Sequence, residues 1–315
     1  TLLQDQGLLY PSGQLAGDAH HSVGWLCRTQ RVNPWSDEEQ GWFEAIEAYG
    51  PIVRRFVRDL NTVPFDGIAL SSEAFFLADP KRVAELFEDH DVRTIVYLRR
   101  QDHYLEANLN QNIKTSGSYL DRHKWVSVSH RGLEYALWLA RWEASFGKSS
   151  VDVVPFEKHR FPAGLERGFA ELVGLEWDPR FLTSVRNGRM TRDGIDFLVR
   201  LNATGRLDRH GYLEAMRLLQ PFADNNPDPP AYRNVYSPQQ RRAFLERYRD
   251  SNVLVARDYL GFEGSLFSMD FDDDTWRAYP GLSAEAAAAI AHHLAIAGVD
   301  EAPLADVIAS LEQLP

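Results

Sequence analysis

Two apolar runs in this chain stop at side chains able to bind anions or move protons. Gly67-Ile-Ala-Leu-Ser71 is followed by Ser72 and Glu73, and Arg93-Thr-Ile-Val-Tyr-Leu98 by Arg99 and Arg100. A guanidinium donates two parallel hydrogen bonds in a fork that matches a phosphate, which suits Arg99 to an anionic ligand. Glu73, in a half-buried setting, has the chemistry of a general base toward a hydroxyl. His20 or His21 is a second candidate base, with His21 the one chosen, because an ordinary imidazole titrates near neutrality. Each assignment has a structural alternative: Glu73 and Arg99 can form an ion pair that caps a sheet, and paired histidines can be solvated loop residues.

Both apolar runs have strand length, and the second is β-branched and aromatic. Between them Asp79-Pro80 marks a helix start, with Val83, Leu86 and Phe87 as its apolar face. A second helix is expected from about His103 to Lys114. This β-α-β-α rhythm predicts an α/β fold, a parallel sheet flanked by helices with a right-handed crossover. Ligands of open parallel sheets bind outside the carboxyl ends of the strands, where these candidates stand if the two strands lie side by side.

Other elements frame this unit. Ser36 and Glu39 have capping-box spacing, predicting a helix to about Asn61 with an interruption at Gly50-Pro51. Trp42, Phe43, Ile46 and Val53 recur along it at helical intervals. Tyr135, Trp138 and Trp142 form one helix face, suited to core packing more than to an aromatic sugar platform. Val151 to Phe156 reads as a later strand. The rest is largely helical: one long helix from Ser237-Pro238 to Gly261, and an alanine-rich one from Ser283 to near Gly298. Pro221 to Pro230, with four prolines, reads as a loop or lid. The expected division is an α/β domain over 1–270 and a helical extension over 271–315.

The order of short motifs carries a resemblance. S-S-E-A-F-F at 71–76, Y-L-R-R-Q-D at 97–102 with Asn and Gln near 110, V-V-P-F-E-K at 153–158 and S-N-x-x-V-A-R-D-Y-L at 251–260 occur in sequence. With G-L-L-Y-P-S-G at 7–13 and His20-His21, the set resembles the bacterial branch of the PAPS-dependent sulfotransferases, over most of residues 1–265. The resemblance implies a sheet related to that of P-loop kinases, 3'-phosphoadenosine 5'-phosphosulfate (PAPS) as donor and PAP as product. It implies that Arg99 contacts the 3'-phosphate, that Ser72 lies at the nucleotide, and that Glu73 or His21 is the base. Where the family has a serine eight residues after that arginine, this chain has Ala107, which cannot donate; Asn110, one helical turn on, is the replacement considered. The acceptor implied is a hydroxyl of a carbohydrate or glycolipid.

The family's Lys-Ser/Thr-Gly-Thr-Thr phosphate loop would lie upstream of Thr1. Gly147-Lys148-Ser149 is not a substitute, because Trp142 stands where a Walker glycine belongs and a strand follows it. Two other function classes stay open at this stage: a catalytically silent sulfotransferase-like fold that binds a glycan or protein partner, and a P-loop kinase-like phosphotransferase needing Mg²⁺.

Composition narrows the field. The chain has 315 residues, 44% hydrophobic, enough for a sizeable core, and no apolar run of membrane-span length. A formal charge of -11 opposes a general grip on nucleic acid. The small basic groups Arg122, His123, Lys124 and Arg186, Arg189, Arg192 read as solvated surface. A single cysteine, Cys27, permits no intrachain disulfide or thiolate cluster and suits a cytoplasmic setting. The ten histidines show no metal-ligand spacing, so no metal is expected.

Overall fold

The computed structural model describes residues 3–11, 15, 20–28, 39–62, 64–116, 132–182, 188–271 and 274–312, without the side chains of 39–48, 61, 115–116 and 312. Along the chain, β1 (Leu8–Leu9) leads to α1 (His21–Leu26) and α2 (Glu39–Asp59). Then come β2 (Gly67–Ile68), α3 (Pro80–Leu86), β3 (Thr94–Leu98) and α4 (Gln101–Ser116), followed by α5 (Tyr135–Phe146), β4 (Val151–Pro155) and α6 (Leu165–Leu172). The remainder is helical: α7 (Arg192–Ala203), α8 (Arg209–Asn225), α9 (Pro238–Glu246), α10 (Arg249–Leu260), α11 (Ala284–Ile296) and α12 (Glu301–Glu312). Mostly helix with short parallel strands, the chain is a mixed α/β protein. Among the described residues no helix is long and apolar enough to cross a membrane.

The elements form two compact units, neither continuous in sequence. The first comprises Thr1–Leu98, Glu134–Thr183 and Leu254–Gly264; the second comprises Arg99–Leu133, Ser184–Val253 and Ser265–Pro315. The boundary expected at 270 thus falls inside the second unit, where the last two helices share a core with α4. Leu109 and Ile113 of α4 pack in one cluster with Phe197, Leu201, Leu219, Ile290, Leu294 and Val307.

Within the first unit the strand pairs are parallel, as the β-α-β-α reading requires, but the partners differ from those expected. β2 pairs with β1 (Leu8↔Gly67), and β3 pairs with β4, from Thr94↔Val151 to Leu98↔Pro155. The described strands therefore make two two-stranded sheets, not one sheet with the 67–71 and 93–98 runs adjacent. The backbone shows why: the Asp66 and Gly67 N–H groups donate to Gly7 O and the Ala69 N–H to Leu9 O, so this short strand is committed to β1. β4 buries Val151 and Val153 and binds along β3 through all five residues.

Helix ends follow the capping chemistry. Asp79 accepts from the Lys81 N–H at the start of α3, and Ser237 and Gln240 form a full capping box on α9. The single long helix expected from Ser237 to Gly261 is instead broken after Glu246. There Arg247 and Tyr248 donate to carbonyls three residues back, Phe244 and Leu245, tightening the turn, and the Tyr248 ring packs at 5.3 Å on Phe244. Pro221 lies inside α8, which runs on to Asn225, so the first part of the expected loop is helical. Burial of Leu219 and Ala223 on the core side of α8 outweighs the roughly 3 kcal/mol such a proline costs. Tyr135, Trp138 and Trp142 are buried; Trp138 stacks on Phe76 and donates its indole N–H to the Phe76 carbonyl at 3.0 Å. That face is core. Gly147 to Ser149 lead through a 3-10 turn into β4. Ser36, Arg122, His123, Lys124 and Arg186 lie outside the described residues.

Candidate functional site

The first unit brings His20-His21 onto Ser71-Ser72 across 51 positions of sequence. Two bonds fix the register: the His20 N–H donates to Ser71 O, and the Ser71 N–H donates to His20 Nδ1, both at 2.9 Å. Gly24 allows the close approach, since a Cβ there would lie 2.7 Å from the Ala74 carbonyl carbon. The result sets His21 Nδ1 2.7 Å from Ser72 Oγ, with Trp25 stacked on the imidazole at 5.3 Å. Ser72 also caps the 3-10 turn Glu73–Leu77, accepting from the Ala74 N–H at 2.9 Å. Glu73 begins that turn and is exposed, not half-buried. Of the candidates, His21 and Ser72 are in contact, and Glu73 is the next residue in the chain.

Arg99 and Asn110 belong to the second unit. Arg99 is half-buried and in the chain is the first of the two residues that join β3 to α4. Asn110 is buried, and its amide is engaged with one backbone residue: Nδ2 donates to Met190 O at 3.0 Å and Oδ1 accepts from Met190 N. It is the third member of a polar row that the sequence reading did not identify. Asp102, Glu106, Asn110 and Lys114 recur every four residues on α4, and all four are buried. Glu106 accepts from the Val235 and Tyr236 N–H groups and lies 3.9 Å from Arg189; Lys114 donates to Gly188 O. Burial pushes the Glu106 carboxyl up, against the pull of Arg189, and pushes the Lys114 amine down. The row ties down two loops, 188–190 and 235–236.

At the head of the row is a charge cluster. Arg100 grips Asp102 with two bonds, Nε to Oδ1 at 2.8 Å and Nη2 to Oδ2 at 3.0 Å, and Arg241 Nε donates to the same Oδ2 at 2.7 Å. Arg100 Nη1 also donates to Ser268 O and Asp270 O. The Phe271 ring lies under three guanidiniums, those of Arg100, Arg241 and Arg242, at 4.6–5.6 Å. Burial alone would raise the Asp102 pKa; the bonds and charge of Arg100, with the charge of Arg241, outweigh it and hold the carboxyl below its ordinary value. Arg100 Nη2 sits 3.2 Å from His103 Nε2, so that nitrogen accepts and the ring is neutral. Desolvation of its inner edge and the nearby arginines push it down to about 4, against the attraction of Asp102. The signal in the sequence was the i, i+4, i+8, i+12 recurrence of polar residues behind an arginine pair; Arg241 and Asp102, 139 positions apart, carried none.

Beside this cluster Gln101 and Asn252 exchange amide bonds of 2.7 and 3.1 Å, fully buried. Removing Asn252 takes the partner of Gln101 Oε1, while Gln101 Nε2 keeps its bond to Leu133 O at 3.3 Å. Asn252→Ala is expected to cost about 1–3 kcal/mol in urea unfolding, and the Gln101→Leu, Asn252→Leu double variant less than the sum of its singles.

Among the described residues no group of three histidine, cysteine or carboxylate side chains is placed to hold a metal ion. The chemistry on offer is a serine–imidazole contact in one unit, and an arginine-rich helix start in the other. No family model and no solved structure matches the chain. A curated protein of Archaeoglobus fulgidus, named "Uncharacterized protein", is 21% identical over 213 residues, covering 66% of this chain. The chain spans 58% of the length of that relative, to which it is similar at a level that assigns no family.

Proposed function

We propose that this protein is a PAPS-dependent sulfotransferase acting on a carbohydrate or glycolipid hydroxyl. The observation that carries the reading is the arginine pair Arg99-Arg100, which follows directly on the carboxyl end of β3, in parallel register with β4, and directly precedes α4. Such a strand end before a helix is where α/β proteins hold anionic groups. Y-L-R-R-Q-D and V-V-P-F-E-K, two of the motifs of the resemblance, lie at the ends of these paired strands. In this reading Arg99 holds the 3'-phosphate of PAPS and PAP. Glu73 or His21 takes the proton of the acceptor hydroxyl as its oxygen bonds to sulfur, and the sulfur–oxygen bond to the nucleotide phosphate breaks in line.

A second reading, a silent sulfotransferase-like fold that binds a glycan or protein, draws on Ala107 and on the engagement of Asn110 with Met190. Sulfate transfer from labelled PAPS to a panel of polysaccharide and glycolipid acceptors separates the two. The enzyme reading expects transfer that falls by about a hundredfold or more in either Glu73→Gln or His21→Ala, naming the base. No transfer to any acceptor, with PAP still bound, favours the silent fold.

A further inference from the structure

We propose that Ser72 is a nucleophile activated by His21, and that the pair accepts the acyl group of activated carboxylic esters. The inference rests on the geometry of the first unit and does not depend on the nucleotide reading.

The direction of the 2.7 Å contact is set by the His21 tautomer. Ser72 Oγ accepts the Ala74 N–H with one lone pair, and among the described residues its only other partner is His21 Nδ1. In the tautomer with the proton on Nε2, Nδ1 is the acceptor and the Ser72 O–H donates to it. That is the arrangement in which a serine oxygen gains nucleophilic character as its proton moves to a base. It is built firmly: the paired backbone bonds between His20 and Ser71 and the close packing at Gly24 hold the two segments in one register. Both side chains are half-buried, so the oxygen is held yet reachable.

The substrate class follows from what the pair lacks. Among the described residues no carboxylate bonds the far nitrogen of His21, and the ring is steadied by Trp25 instead. A dyad without the acid of a full triad handles good leaving groups, hence activated esters and not amides. The step balances. Ser72 Oγ bonds to the acyl carbon, the bond from that carbon to the leaving oxygen breaks, and the serine proton passes to His21 and on to the departing alcohol. Water then bonds to the acyl carbon and gives a proton to His21, which passes it to Ser72 Oγ as the bond from that oxygen to the acyl carbon breaks and the carboxylic acid leaves.

The test is p-nitrophenyl acetate with the folded protein, reading the nitrophenolate burst and the acetylated residue by peptide mass spectrometry. The expected result is a burst of one equivalent and acetyl on Ser72, both lost in Ser72→Ala. In His21→Asn, whose Oδ1 stands at the position of Nδ1 and accepts the serine hydroxyl but takes no proton, acetylation of Ser72 should slow about a hundredfold. Acetyl found only on lysines, or Ser72 acetylated as fast in His21→Asn as in wild type, overturns the proposal. PAP binding is not read in this experiment, so its failure leaves the nucleotide reading untouched.

Discussion

Asp102→Ala is expected to lose about 3–5 kcal/mol of stability in chemical unfolding, the largest effect of any single change in the second unit. The carboxylate is buried and takes three bonds from two buried guanidiniums. Its removal leaves Arg100 and Arg241 as like charges in a desolvated site, and Arg100 also loses the anchor that aims it at Ser268 O and Asp270 O. Replacing the ion cluster by apolar residues of matched volume would cost far less, which distinguishes an uncompensated charge from mere loss of packing. The sign of the pH dependence follows. Asp102 has a folded pKa below its unfolded one, so its contribution is complete above the ordinary carboxylate range and is lost as pH falls below about 4. Wild type and Asp102→Ala should therefore differ most near neutrality and converge in acid; a constant difference down to pH 2 would contradict the assignment.

Gly24→Ala is expected to be the most damaging conservative change in the first unit, at about 1–3 kcal/mol. The added carbon would meet the Ala74 carbonyl carbon and Cβ at 2.7 Å and the Phe75 nitrogen at 2.8 Å. These are mostly backbone atoms, so no side chain can swing away and α1 must shift as a body. That shift separates His21 from Ser72 and strips the His20–Ser71 bonds. The variant should thus melt lower and also lose the acetylation of Ser72, while Ser22→Ala, a change on the same helix that removes only a bond to Leu15 O, should keep it. A Gly24→Ala protein with wild-type melting would show that the helix and the turn do not touch as described.

What the sequence announced, and what it concealed, follows the range of the interactions. Asp79 and Ser237 as caps, and the β-branched run at 94–98, are local signals, and each element starts where they point. Which strands pair is not local: β1 is two leucines with no period to detect, yet its backbone claims β2. The break after Glu246 contains neither glycine nor proline, and Tyr248, just past it, is buried. Pro221 reads as the start of a loop because its cost is local while the burial that offsets it is not. The site shows the same split. His21, Ser72 and Arg99 were legible as residue types at element ends, but the 2.7 Å contact between His21 and Ser72 and the double grip on Asp102 join positions 51 and 139 apart. α4 hid its polar row because an interior row of Asp, Glu, Asn and Lys reads in sequence as a solvated face.

The proposal that Arg99 holds the 3'-phosphate of a nucleotide is tested by calorimetric titration of PAP into the folded protein, with ADP, which lacks that phosphate, as control and Arg99→Ala alongside. PAP is expected to bind, ADP to bind at least about tenfold more weakly, and Arg99→Ala to abolish the difference. Equal binding of PAP and ADP, or no binding of PAP, would contradict it.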